Sequence, residues 1–196
     1  MWTTATTQPK ISAANKAVIE KYFVPQIHEE VVKETTVATT PKRVIAVAVD
    51  SSPDAEYALQ WALDHLINSN DQVCLINVRP YAVDGNFGRA LDLYPAYSHD
   101  YNEDYVDAIE NYNRDESHSL LKKFGGLVLS KGATCRGIAL RGNAKEEILA
   151  KVNEIKPDML VVGCRGLSPL KKVFLGSLSH YLVQHANVPV IVPKRQ

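Results

Sequence analysis

No stretch of this 196-residue chain approaches the roughly 20 consecutive apolar residues that a membrane-spanning helix needs. Residues 1–10 also lack the apolar segment of a secretion signal. Charge of one sign is missing too: Lys plus Arg and Asp plus Glu number 22 each, so no net field gathers nucleic acid or an anionic membrane surface. Cysteine is scarce, and Cys74, Cys135 and Cys164 are too widely spaced for a disulfide framework or a zinc site. A reducing compartment is expected, the cytoplasm and also the nucleus. Absent as well is the phosphate loop of glycine, four residues, glycine, lysine and serine or threonine. Val49-Asp50-Ser51-Ser52-Pro53 has no glycine where a dinucleotide fingerprint would need one. Gly176-Ser177-Leu178-Ser179-His180 lacks the second glycine of a hydrolase nucleophile elbow. His180 and His185 are five apart on an expected helix, which does not stack them as a metal pair, and no metal site or catalytic residue is assigned.

What is present begins with apolar residues, 45% of the chain, enough for the core of one domain. Residues 1–40 are rich in threonine, alanine and charge and are broken by Pro25, so they are read as a loosely ordered N-terminal tail. The domain is placed at residues 41–196. Its first strand is Val44-Ile45-Ala46-Val47-Ala48-Val49, a continuous apolar run of the kind buried on both faces of a parallel sheet. Ser52 is suited to cap the next helix, Pro53 to start it, and Asp54 and Glu56 to favour its positive end. Ala55, Ala58, Leu59, Ala62, Leu66 and Ile67 then recur at helical spacing. Further strands are expected at 73–78, 134–140, 159–162 and 188–192, and helices at 105–130, 145–155 and 177–186, with Gly125-Gly126 kinking or shortening the long one, which carries Leu127 among its apolar residues. A tyrosine-rich acidic loop is expected over 81–104. This alternation predicts an α/β fold: a doubly wound five-stranded parallel sheet, Rossmann-like, with helices on both faces. Ligands of such sheets bind outside the carboxyl ends of the strands, where strand order reverses.

One loop carries a candidate site. Gly163 and Gly166 are separated by two residues, nine follow, and Gly176-Ser177 opens the last helix. Glycine lets a ligand come against the backbone, and a helix N-terminus presents unpaired N–H groups and partial positive charge, so the pattern suits a phosphate. Arg165, Lys171 and Lys172 stand in the same loop. Cys164 is read as a small loop filler.

This spacing resembles the phosphate-binding signature of the ATP-binding universal stress proteins. The likeness runs from Arg43 to Pro193 and includes the opening strand that ends in Asp50, Leu160-Val161-Val162-Gly163, and Val188-Pro189-Val190-Ile191-Val192. It implies that Ala48, Val49 and Asp50 border adenine and ribose and that Val78 packs on the base. Val162, Gly163, Arg165, Gly166, Gly176, Ser177 and Leu178 would wrap ribose and phosphates. The ligand implied is ATP, or ADP or AMP, with magnesium accompanying ATP, and the assembly implied is a homodimer through the final strand at 188–192. The leading function is a stress-response module in which bound nucleotide biases conformation or dimer assembly. A slow ATP hydrolase or phosphotransferase, and a nucleotide-free dimeric adaptor, are the alternatives.

Overall fold

The computed structural model describes residues 30–34, 43–81, 103–164 and 175–195, with backbone alone for 30–34 and 103–106. The strands are β1 (Glu30–Glu34), β2 (Val44–Ala48), β3 (Gln72–Arg79), β4 (Thr134–Arg141), β5 (Met159–Val162) and β6 (Val190–Ile191). The helices are α1 (Pro53–His65), α2 (Glu103–Ser130), α3 (Ala144–Ile155) and α4 (Ser177–His185). One sheet has the order β1-β4-β3-β2-β5-β6. The five expected strands pair in parallel. To them is added β1, antiparallel to β4 with a register shift between Val31 and Lys33, drawn from the segment read as a tail.

Alternation along the strands sends side chains to two apolar layers, which is why each strand reads as a continuous apolar run. Ile45, Val47, Val73 and Leu75 join Leu59 and Leu63 of α1 and Leu121, Phe124 and Val128 of α2 on one face. Ala46, Ala48, Cys74 and Ile76 join Ile148 and Val152 of α3 and Leu182 of α4 on the other. Helix α2 runs unbroken through Gly125-Gly126. Burial of Leu121, Phe124 and Val128 outweighs the roughly 1 kcal/mol that a helical glycine costs. Leu127 of the same helix is 37% exposed. At the far edge only Val190 and Ile191 pair as strand, because Pro189 has no N–H to give and contributes only its carbonyl, which accepts from Leu160 N–H.

At the amino edge a charged clasp fixes where β2 begins. The Arg43 guanidinium donates to both oxygens of Asp71 at 3.0 and 2.6 Å and to the Leu66 carbonyl at 3.0 Å, while Asn68 N–H donates to Asp71 at 2.8 Å. Burial alone would push the Asp71 carboxyl up, but the Arg43 and Asn68 donors outweigh it and hold it below the ordinary carboxylate value. Stability from a carboxyl lowered in this way is present above its unfolded-state value and is lost as pH falls through the folded one. Asp71→Ala is therefore expected to cost about 1 to 2 kcal/mol near neutral pH. Urea unfolding of parent and variant should show the gap closing as pH falls below the carboxylate range. A gap that stays constant down to that pH would mean the clasp contributes no charge interaction.

Candidate functional site

Strand order reverses at β2, which has β3 on one side and β5 on the other. Helix α1 leaves β2 toward one face, while α3 and α4 cover the opposite face, so a crevice opens at the carboxyl ends of β2 and β5. It is lined by Ala48, Val49, Asp50 and Ala55 from β2 and α1, Val78 from β3, Ala144 and Ile148 from α3, Val162 and Gly163 from β5, and Gly176, Leu178 and Ser179 from the start of α4. Eight residues singled out in the sequence thus meet at one place: Ala48, Val49, Asp50, Val78, Val162, Gly163, Gly176 and Leu178. Ser177 opens α4 between two of them but does not line the crevice. Arg165, Gly166, Lys171 and Lys172, and most of the tyrosine-rich stretch at 82–102, lie outside the described residues.

Gly176 does not offer its own amide to the crevice. The N–H of Gly176 is committed to the Cys164 carbonyl at 2.7 Å, which fastens the end of β5 to the start of α4. Ser179 strengthens the fastening, its hydroxyl lying 3.1 Å from both the Cys164 and Gly176 carbonyls. The first bond within α4 runs from His180 N–H to the Gly176 carbonyl, and Gly176 supplies no side-chain cap. The N–H groups of Ser177, Leu178 and Ser179 therefore have no acceptor within the helix, and they form its positive end at the crevice. Ser179 was missed in the sequence because a serine in the first turn is an ordinary helix-start residue, and only the carbonyls it reaches give it weight.

Gly163 is required by packing. A Cβ there would stand 2.9 Å from Ala55 N and 3.0 Å from the Asp54 carbonyl group, so the first turn of α1 lies directly on the end of β5. Gly163→Ala is expected to push that turn away and cost about 1 to 2 kcal/mol, read as a lower denaturation midpoint in urea. An unchanged midpoint would show that the contact yields freely. The same turn is set by two polar contacts: Ser52 Oγ accepts from Ala55 N–H at 3.2 Å, and Asp50 Oδ1 accepts from Ser52 N–H at 2.9 Å. Asp50 thus shapes the loop and lines the crevice at once.

Among the described residues the lining is mainly aliphatic, with Asp50 its one carboxylate. Such a surface suits a flat apolar ring, and the open end of α4 suits an anion. Should a magnesium ion enter with a polyphosphate, Asp50 offers one oxygen ligand from the protein, and phosphates and water would complete the shell. Among the described residues no group of three or more His, Cys, Asp or Glu side chains is placed to hold a metal, and no helix is long and apolar enough to cross a membrane.

A family model described as the universal stress protein family matches residues 42–194. A universal stress protein A-like protein of Arabidopsis thaliana is 31% identical over 163 residues, covering 77% of this chain and 89% of that protein. Universal stress protein YxiE of Bacillus subtilis is 33% identical over 146 residues, covering 74% of this chain and 95% of its own length. Among solved structures, a universal stress protein family protein from Arabidopsis thaliana with AMP bound superposes with a TM-score of 0.55 at 25% identity, covering 79% of this chain and 92% of that one.

Proposed function

Because the chain belongs to the universal stress protein family, we propose that it is a regulatory module that binds an adenine nucleotide, ATP or its products ADP and AMP, in the crevice between β2 and β5. The observation that carries this reading is the meeting of an aliphatic slot with the uncapped start of α4 at the point where strand order reverses. The AMP-bound relative supports the choice of an adenine nucleotide. In this arrangement Val78 packs on the base, Ala48, Val49 and Asp50 border adenine and ribose, and Val162 and Gly163 form the floor. The N–H groups of Ser177, Leu178 and Ser179 meet the phosphates, and the glycine spacing assigns Arg165 and Gly166, outside the described residues, to the same phosphates. The described lining supplies a slot and a helix end that hold a nucleotide, and turnover is left to the measurement. Denaturing the freshly purified protein and identifying what it releases by absorbance and chromatographic mobility tests the reading. An adenine nucleotide in near-stoichiometric amount is expected. Sustained phosphate release over many turnovers would instead make the protein a hydrolase.

The second half of the proposal is assembly. Strand β6 pairs with β5 and is the last strand of the sheet on that side, an edge on which a second copy can pair about a two-fold axis. Residues 188–192 would then form the contact of a homodimer, and one substitution acts twice in such a contact. Ile191→Lys is expected to give monomers in gel filtration with light scattering at micromolar concentration. A monomeric parent under the same conditions would end the dimer proposal.

A further inference from the structure

At the carboxyl edge the β2–β3 ladder stops one bond short. The two strands pair in register from Val44 with Gln72 to Ala48 with Ile76, and Val49 N–H still donates to the Ile76 carbonyl at 2.9 Å. Within a strand the N–H and carbonyl of one residue point to the same side, and successive residues serve alternate neighbours. Arg79 serves β4, its carbonyl accepting from Gly142 N–H at 3.0 Å, so Val78 is turned toward β2, as Ile76 is. The next bond of the ladder would run from Val78 N–H to the Val49 carbonyl. It is not made: the Asn77 side chain donates to that carbonyl instead, at 2.8 Å.

Asn77 can take the carbonyl because its own side chain is anchored. Ser117 of α2 donates its hydroxyl to Asn77 Oδ1 at 2.6 Å, which fixes the amide with its nitrogen toward Val49. Both residues are buried, in the floor of a second cleft on the α2 face of the sheet. The buried cation of that floor makes no claim on Val49. Arg79 and Arg141 end β3 and β4 in register, and both donate to one oxygen of Glu110 on α2, Arg141 at 3.1 Å. The gap between Val49 and Val78 lies where the second cleft meets the first crevice, since Asp50 and Val78 line both. Val78 N–H faces this gap with no acceptor among the described residues. Leaving a partly buried N–H unpaired is costly, so a strand end that withholds a ladder bond points to a ligand that supplies the acceptor.

Resting on the nucleotide reading above, we propose that Asn77, anchored by Ser117, is a positioning residue for the nucleotide. By taking the Val49 carbonyl it ends the β2–β3 ladder one bond early and keeps the gap between Val49 and Val78 open for the edge of the base. Asn77 acts through Val49 and Val78 and does not line the first crevice itself. The same bond holds the peptide that leads into Asp50, so the wall at the ribose is set by the same side chain.

The test takes two readings on the full chain freed of nucleotide: amide hydrogen exchange by NMR, and affinity for adenosine 5′-monophosphate by calorimetric titration. In the parent the Val78 amide is expected to exchange about tenfold or more faster than the ladder amide of Ile76. Asn77→Ala frees the Val49 carbonyl, so the ladder gains its missing bond. Val78 exchange should then slow by about tenfold, and the monophosphate should bind about tenfold more weakly. Ser117→Ala leaves Asn77 in place but unanchored and should move both readings the same way by less; if Asn77→Ala does not fold, this variant decides. A Val78 amide as protected in the parent as that of Ile76 overturns the proposal. So does a variant that moves one reading alone or neither: weaker binding with unchanged exchange makes Asn77 a packing residue, and slower exchange with unchanged affinity detaches the open amide from the ligand. If the monophosphate fails to bind the parent, the nucleotide reading falls, and exchange alone then decides Asn77. Slower Val78 exchange in Asn77→Ala would uphold its hold on the gap, and unchanged exchange would remove it.

Discussion

Glu110→Ala is expected to lower the stability of the domain by about 3 to 5 kcal/mol, which corresponds to roughly 6 to 20 °C in melting temperature at 2 to 4 °C per kcal/mol. The size follows from what is left behind. Removing the carboxylate strands Arg79 and Arg141, whose side chains are 8% and 5% exposed, as two like charges at the ends of neighbouring strands. Burial pushes the Glu110 carboxyl up, but the two guanidinium groups outweigh it and hold it below the ordinary value. Its contribution is accordingly present above the unfolded-state value and is lost as pH falls through the lowered one, so at neutral pH the full effect is seen. Replacing the whole cluster at once, Glu110→Leu with Arg79→Met and Arg141→Met, should recover most of the loss, because no charge is then stranded. Urea unfolding with both variants distinguishes the causes. A cost below about 1 kcal/mol for Glu110→Ala would mean that water reaches the arginines and the cluster is not electrostatically tight.

Much of the fold could be read from the chain because local pattern and tertiary position agree. The run 44–49 is apolar at every position since both faces of β2 are covered, and Ser52-Pro53-Asp54 starts α1 by capping alone. The five parallel strands and four helices follow from such agreement. Strand β1 was not legible. Two of its five residues are apolar, and what makes it a strand is the hydrogen-bonding edge of β4, a partner more than 100 residues away. Edge strands carry little of the apolar signal that marks central ones. The short β6 differs from the expected 188–192 for a similarly local reason, the missing N–H of Pro189.

For the candidate site, glycine spacing singled out residues that the structure brings to one crevice, while the backbone contacts of Gly163 and Gly176 were not legible in it. Gly163 serves the approach of α1, and Gly176 N–H serves the joint with Cys164, leaving the amides of Ser177, Leu178 and Ser179 as the open donors. Sequence spacing tells where backbone comes close, but not which atom it approaches. The Arg79–Glu110–Arg141 cluster left no trace in the pattern, because its members lie on two strands and a helix, 31 residues apart at each link.

The central claim is that an adenine nucleotide sits against the open start of α4, and a melting experiment with protein stripped of nucleotide tests it most directly. A ligand that binds only the folded state adds about 2.7 kcal/mol at 100 times its dissociation constant, which is roughly 5 to 10 °C for a domain of this size. Gly176→Asp sharpens the test. Gly176 has the extended backbone of an N-cap, at φ −67° and ψ 161°, so an aspartate there can cap the free amides of α4 and keep or slightly raise the stability of the empty protein. The same carboxylate occupies the donors that a phosphate needs and repels it. The expected result is that ATP, ADP or AMP with magnesium raises the melting temperature of the parent by several degrees while Gly176→Asp melts like the empty parent and does not respond. A parent that none of the three nucleotides stabilises at millimolar concentration, or a Gly176→Asp protein that responds as the parent does, would contradict the assignment.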